Sequence, residues 1–179
     1  MYARSSGSRA GWLALALLLA CGVAQALPAG TRAFDKTTWQ KLKKEIARPS
    51  VVVFTTTDCA YCPDVIETVA KEIRKGPVKA QLAVVVMDGA RQPESWLKEP
   101  HYRKADVIYV FDGQETALRF GIDPRWRGMT PYLALFDRTG DPRFVIGPPS
   151  AQQLSALLKQ RSEEHTSELQ SQSTISYAV

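Results

Sequence analysis

The chain has 179 residues, 45% hydrophobic and 23% charged, with a formal net charge of +5. That apolar share supports a packed core and excludes a wholly disordered chain. Three cysteines and two histidines exclude a disulfide-stapled scaffold and a multi-histidine zinc centre. The mild positive charge, without a dense block, reads as a solvated surface and not a nucleic-acid patch.

Residues 1–26 read as a secretory signal. Arg4 and Arg9 give the positive start, Trp12 to Ala20 a short apolar stretch, and Ala24-Gln25-Ala26 a cleavage site before Leu27. The stretch falls short of the about 20 residues that a spanning helix needs. The alternative is a lipoprotein signal, Leu18-Leu19-Ala20-Cys21-Gly22, with lipid on Cys21. Asp35 is placed as the N-cap of a helix over 36–47, with Phe34 and Trp39 at staple positions and Trp39, Leu42 and Ile46 on one face. Lys41, Lys43 and Lys44 lie on this helix, and Arg48-Pro49 stops it.

Ser50 to Thr56 reads as a buried strand and Cys62 to Lys75 as a helix with an inner stripe of Val65, Ile66, Val69 and Ile73. Pro63 suits that helix's first turn, where a missing N–H costs nothing. Gly76-Pro77 breaks the chain before a second continuous apolar strand, Ala80 to Met87, covered on both faces. Residues 88–105 are less regular, with a short helix around Glu94 to Glu99. Asp106 to Phe111 reads as a short strand or extended segment, and Gln114 to Phe120 as a helix ended by Gly121. Pro131 to Asp137 and Pro142 to Gly147 flank Arg138-Thr139-Gly140-Asp141 as an antiparallel hairpin. Ser150 to Lys159 forms a closing amphipathic helix carrying Leu154, Leu157 and Leu158. Residues 161–179, from Arg161-Ser162-Glu163-Glu164-His165-Thr166 onward, look like the translation of a sequencing-adapter oligonucleotide. They are expected to be an artefactual, disordered tail and are set aside.

The chemistry centres on Cys59-Ala60-Tyr61-Cys62-Pro63, directly after the apolar strand. Two cysteines three apart, where a strand hands over to a helix, suit a dithiol that cycles with a disulfide. The helix start favours a thiolate on the first sulfur, and the thiolate is the attacking species. An inert bridge is the plain alternative, but so short a loop restrains the unfolded chain little. Metal is a third reading. Zinc needs about four N/S ligands, whereas the pair has only the distant His101 beside it. Two-coordinate Cu(I) remains open as a non-enzymatic function through Cys59 and Cys62. Met87 and Met129 are expected to pack the core, Trp96, Trp126 and Tyr102 to cap it, with a partner groove as their alternative, and His101 forms no triad.

Strand, CxxC, helix, strand, helix, Thr-Pro hairpin and final helix together resemble the thioredoxin superfamily over about residues 34–159. Gly128 to Gly140 looks like the cis-proline strand and hairpin of TlpA/ResA-type proteins, and Phe54 to Cys62 like the active-site segment of the DsbC/DsbG group. The resemblance implies an α/β thioredoxin fold, a central mixed sheet flanked by helices, over 27–160. It implies a monomeric periplasmic thiol–disulfide oxidoreductase without a cofactor, acting on protein disulfides or thiols with a membrane redox partner. TlpA-type likeness implies reduction of cytochrome-maturation or sulfur-oxidation partners, and DsbC-type likeness implies disulfide isomerisation. Cys59 is then the nucleophile and Cys62 the resolving thiol. Pro131 is the cis-proline beside the pair, Thr130 offers its backbone to substrate, and Tyr61 tunes thiol acidity and partner contact. The chain departs from the ordinary pattern at Asp58, where a Trp is usual and whose charge opposes a thiolate. It departs again at Val53, where thioredoxin has a buried acid. Glu67, Asp64 or water are left as proton acceptors for Cys62.

Overall fold

Six strands form one mixed sheet in the order β1-β4-β3-β2-β5-β6. The computed structural model describes residues 27–45, 49–75, 80–137 and 140–156. The expected signal segment, Ile46, Leu157, Leu158 and the tail lie outside them. β1 (Arg32–Phe34) leads into α1 (Lys36–Lys44), which Asp35 caps by accepting from the Thr38 N–H at 2.6 Å. β2 (Ser50–Thr55), α2 (Cys62–Lys75) and β3 (Gln81–Val86) make a parallel crossover unit. Three 3-10 turns then reach β4 (Val107–Phe111), which lies parallel between β3 and β1. α3 (Glu115–Ile122) precedes the hairpin β5 (Tyr132–Phe136) and β6 (Pro142–Ile146). Residues 151–156 are helical (α4).

The central strands are buried on both faces, and alternate side chains serve two different layers. One face is aliphatic: Val51, Val53, Val84, Val86, Leu133 and Leu135 pack against the α2 stripe Val65, Ile66, Val69 and Ile73 and against Leu154. The other is aromatic. Phe34, Phe54, Phe111, Tyr132 and Phe136 meet Trp39 of α1 there, together with Ile122 and Trp126.

Several expectations are corrected. β1 is a strand that the sequence reading missed, and Phe34 ends it, buried in the aromatic layer. α1 closes at Lys44 and not at Ala47, with the Glu45 N–H on the Lys41 carbonyl at 2.8 Å. α3 runs through Gly121 to Ile122, because burying Ile122 in the core offsets the about 1 kcal/mol that a helical glycine costs. The short helix near Glu94 is one of three successive 3-10 turns, with Pro93 and Pro100 at two of their starts.

Candidate active site

Two neighbouring strand ends build the cysteine loop. Beyond Thr55 the chain turns through Cys59 N–H to the Thr56 carbonyl and Cys62 N–H to the Cys59 carbonyl, both 3.3 Å. α2 begins at Cys62. Asp88, just past β3, accepts from the Thr57 N–H at 2.9 Å and its hydroxyl at 2.6 Å. The loop is thereby tied to the adjacent parallel strand as well as to its own.

Cys59 and Cys62 form a disulfide, with Cα atoms 5.4 Å apart. Their surroundings differ sharply. Cys62 is 1% exposed, Cys59 is half-buried, and Tyr61 between them is 73% exposed. A reagent arriving from solvent therefore meets Cys59 at the open N-terminus of a fourteen-residue helix, where the peptide dipoles favour negative charge.

The antiparallel register pairs Phe54 with Tyr132. Pro131, one residue before Tyr132, accordingly lies beside Thr55 at the sheet end from which the cysteine loop departs. The Thr130–Pro131 bond is cis, the geometry the resemblance implied. The Pro131 carbonyl accepts from the Gly147 N–H at 2.8 Å, whereas the N–H and carbonyl of half-buried Thr130 meet no other backbone group among the described residues.

Below the site β2 and its neighbours are apolar. Val53 is fully buried between Val84 and Leu133 in register, so β2 supplies no acid beneath the pair. Asp58, Asp64 and Glu67 all lie at the surface. Burial pushes the Tyr102 phenol up to about 12, with Asp88 and Glu99 adding to it and a hydrogen bond to Thr55 opposing. The His101 ring lies 4.1 Å from that of Tyr102, tilted by 46°, and its pKa is pushed down by burial, against Glu99 and Glu67. Met87 is buried, as expected. Met129 is not: its side chain stands 56% exposed on the proline loop, which corrects its reading as a packing residue. No group of three or more His, Cys, Asp and Glu suited to a metal occurs among the described residues.

Two acids went unnoticed in the sequence. Asp88 carries a faint signal, as the first polar residue after an apolar strand on the same sheet edge as the cysteines. Asp123 carries none beyond Asp-Pro, yet it is 4% exposed and receives Tyr132 Oη at 2.6 Å. Burial acts to raise its pKa, but hydrogen bonds from Arg125 and Tyr132 outweigh this and hold it at about 2.

No curated protein matches the sequence. Among solved structures, a secreted Mycobacterium tuberculosis disulfide oxidoreductase homologous to E. coli DsbE is 17% identical over 62% of this chain and 80% of its own, with a TM-score of 0.43. StoA from Bacillus subtilis is 19% identical over 62% and 81%, at 0.44. Copper-bound ScoI of Arabidopsis thaliana is 13% identical over 68% and 89%, at 0.48. Likenesses this distant carry no conclusion about chemistry. The family model for a thioredoxin-like domain, however, matches residues 36–162. The chain belongs to the thioredoxin-like domain family.

Proposed function

We propose that the protein is an exported thiol–disulfide oxidoreductase acting on protein substrates in the periplasm. The Cys59 thiolate attacks one sulfur of a substrate disulfide, forming a mixed disulfide and releasing one substrate thiolate. The Cys62 thiolate then attacks Cys59, closes the internal disulfide and releases the second. Two electrons pass to the substrate, and a membrane redox partner restores the dithiol. In the oxidising direction the same steps run backwards. The observation that carries this reading is the unequal exposure of the two sulfur-bearing residues, Cys59 half-buried and Cys62 1% exposed. Attack on an outside disulfide falls to the first, and the second is kept for resolution. Thr130 supplies free backbone groups for an extended segment, Pro131 lines the pair, and exposed Tyr61 contacts the partner. No cofactor enters the cycle, and a monomer suffices for it.

Cys62→Ser removes the resolving thiol and should accumulate covalent partners on Cys59 in the native compartment, released by reductant. No trapped species would defeat the proposal. The potential of the pair against glutathione assigns direction: far below about −200 mV marks a reductant and near about −120 mV an oxidant. One observation favours the Cu(I) reading, the exposed thioether of Met129 on the proline loop, since soft sulfur suits Cu(I). Tight Cu(I) uptake together with negligible insulin reduction would decide for it.

A further inference from the structure

The segment from Asp123 to Tyr132 joins α3 to β5, and cross-ties hold it along its length. At its base, Tyr132 Oη donates to Asp123 Oδ2 at 2.6 Å. Arg125 donates to the same carboxylate from its backbone N–H at 2.9 Å and from its guanidinium at 3.2 and 3.3 Å. In the middle, the Trp126 backbone N–H donates to the Asp123 carbonyl at 2.9 Å, and its indole N–H to the Met129 carbonyl at 2.9 Å. The Trp126 ring lies on Tyr132 at 4.4 Å and 8°, and Tyr132 stacks in turn with Phe144 at 5.4 Å and 19°. Gly128 sits at φ +89°, and a Cβ there would come within 2.9 Å of the Arg119 guanidinium. The path is therefore fixed at both ends and braced on one side.

The consequence falls on the two residues before the proline. Met129 is held by its carbonyl while it stands 56% exposed, and the Thr130 N–H and carbonyl meet no backbone group among the described residues. We propose that Asp123, Tyr132 and Trp126 are positioning residues that keep Met129–Thr130 as a preformed docking edge. The edge makes the protein prefer extended polypeptide disulfides, with an apolar residue beside the reacting cysteine, over small disulfides. An edge already ordered loses no conformational freedom on binding, and backbone pairing gives affinity while Met129 gives selectivity. The inference rests on the redox reading above, which already sets an extended protein segment on the Thr130 backbone, and adds the residues that position that edge and the selectivity of Met129.

The test compares insulin with dithiobis(nitrobenzoate), a disulfide too small to lie along the edge. Trp126→Phe keeps a ring on Tyr132 and deletes the tether to Met129, while Asp123→Asn keeps volume and weakens the base. In both variants KM for insulin should rise by about fivefold or more with kcat within about twofold, and the small-disulfide rate should stay within about twofold of the parent. Equal losses on both substrates, or no change on either, would overturn the proposal. Amide exchange at position 126 of the oxidised protein, whose backbone N–H is bonded to the Asp123 carbonyl, is a second arm. It should quicken by about tenfold in both variants while β2 amides stay protected, and unchanged exchange would overturn the positioning role. A parent inactive on both substrates defeats the redox reading and the substrate preference with it, leaving exchange to decide the positioning role alone.

Discussion

Asp123 is the one carboxylate buried among the described residues, and its charge is kept by neighbours of unequal kind. Tyr132 is buried beside it, whereas the Arg125 side chain is 84% exposed and screened by water. With a folded pKa of about 2 against an ordinary 3.8, the carboxylate stabilises the fold fully above about pH 4. That contribution is lost as the pH falls through about 2. Screening at Arg125 limits it to about 1–2 kcal/mol. Urea midpoints of the parent should therefore drop more steeply between pH 4 and pH 2 than those of Asp123→Asn. Asp35, whose hydrogen bond from Thr38 also lowers its pKa, titrates in both proteins and cancels in the difference. Parallel pH profiles would show that folding leaves the Asp123 pKa unshifted.

Among the elements, the parallel pair β2–β3 does more than support the cysteine loop from beneath. Asp88 reaches across to the Thr57 N–H and hydroxyl, so one acid joins the turn after β3 to the turn before α2. Hydrogen bonds to a charged acceptor contribute about 1.5–3 kcal/mol. Asp88→Ala should lower the unfolding free energy by about 2 kcal/mol and speed exchange of the Thr57 amide. A midpoint within error of the parent would mean that water replaces the tie at no cost. This tie could not be read from the sequence, because Thr57 and Asp88 are far apart in the chain and only the strand register brings them together. What could be read was periodic or punctuated: the continuous apolar runs of β2 and β3, the α2 stripe, the breaks at proline and glycine, and CxxC at a strand-to-helix turn. β1 escaped because three residues of Arg-Ala-Phe show no period, and it is a strand only by pairing with β4. Met129 was misjudged for a related reason. Hydropathy records what a side chain prefers, while the indole tether to its carbonyl fixes where it stands.

For the molecule as a whole, cohesion and chemistry reside in different places. The sheet is sealed on one face by the α2 stripe and Leu154, and on the other by linked aromatic rings from Phe34 through Phe54 to Trp126. Buried strand residues such as Val51, Val53, Phe54, Val84, Val85 and Leu133 are all fully enclosed. Each contributes about 1.5–3 kcal/mol against the entropy of folding. The disulfide sits at the rim of this core and closes a loop of sequence separation 3. Loop-closure entropy for so few residues amounts to about 2 kcal/mol, compared with about 4.7 for a hundred-residue loop. The double variant Cys59→Ser, Cys62→Ser should therefore fold to the same sheet, with a urea-extrapolated stability within about 2 kcal/mol of the oxidised parent. It should also lose all thiol exchange. A double variant that fails to fold, or that loses well over this amount, would make the bridge a structural staple. The dithiol could then not open in each turnover without endangering the fold, and the cycle assigned to Cys59 and Cys62 would fail with it.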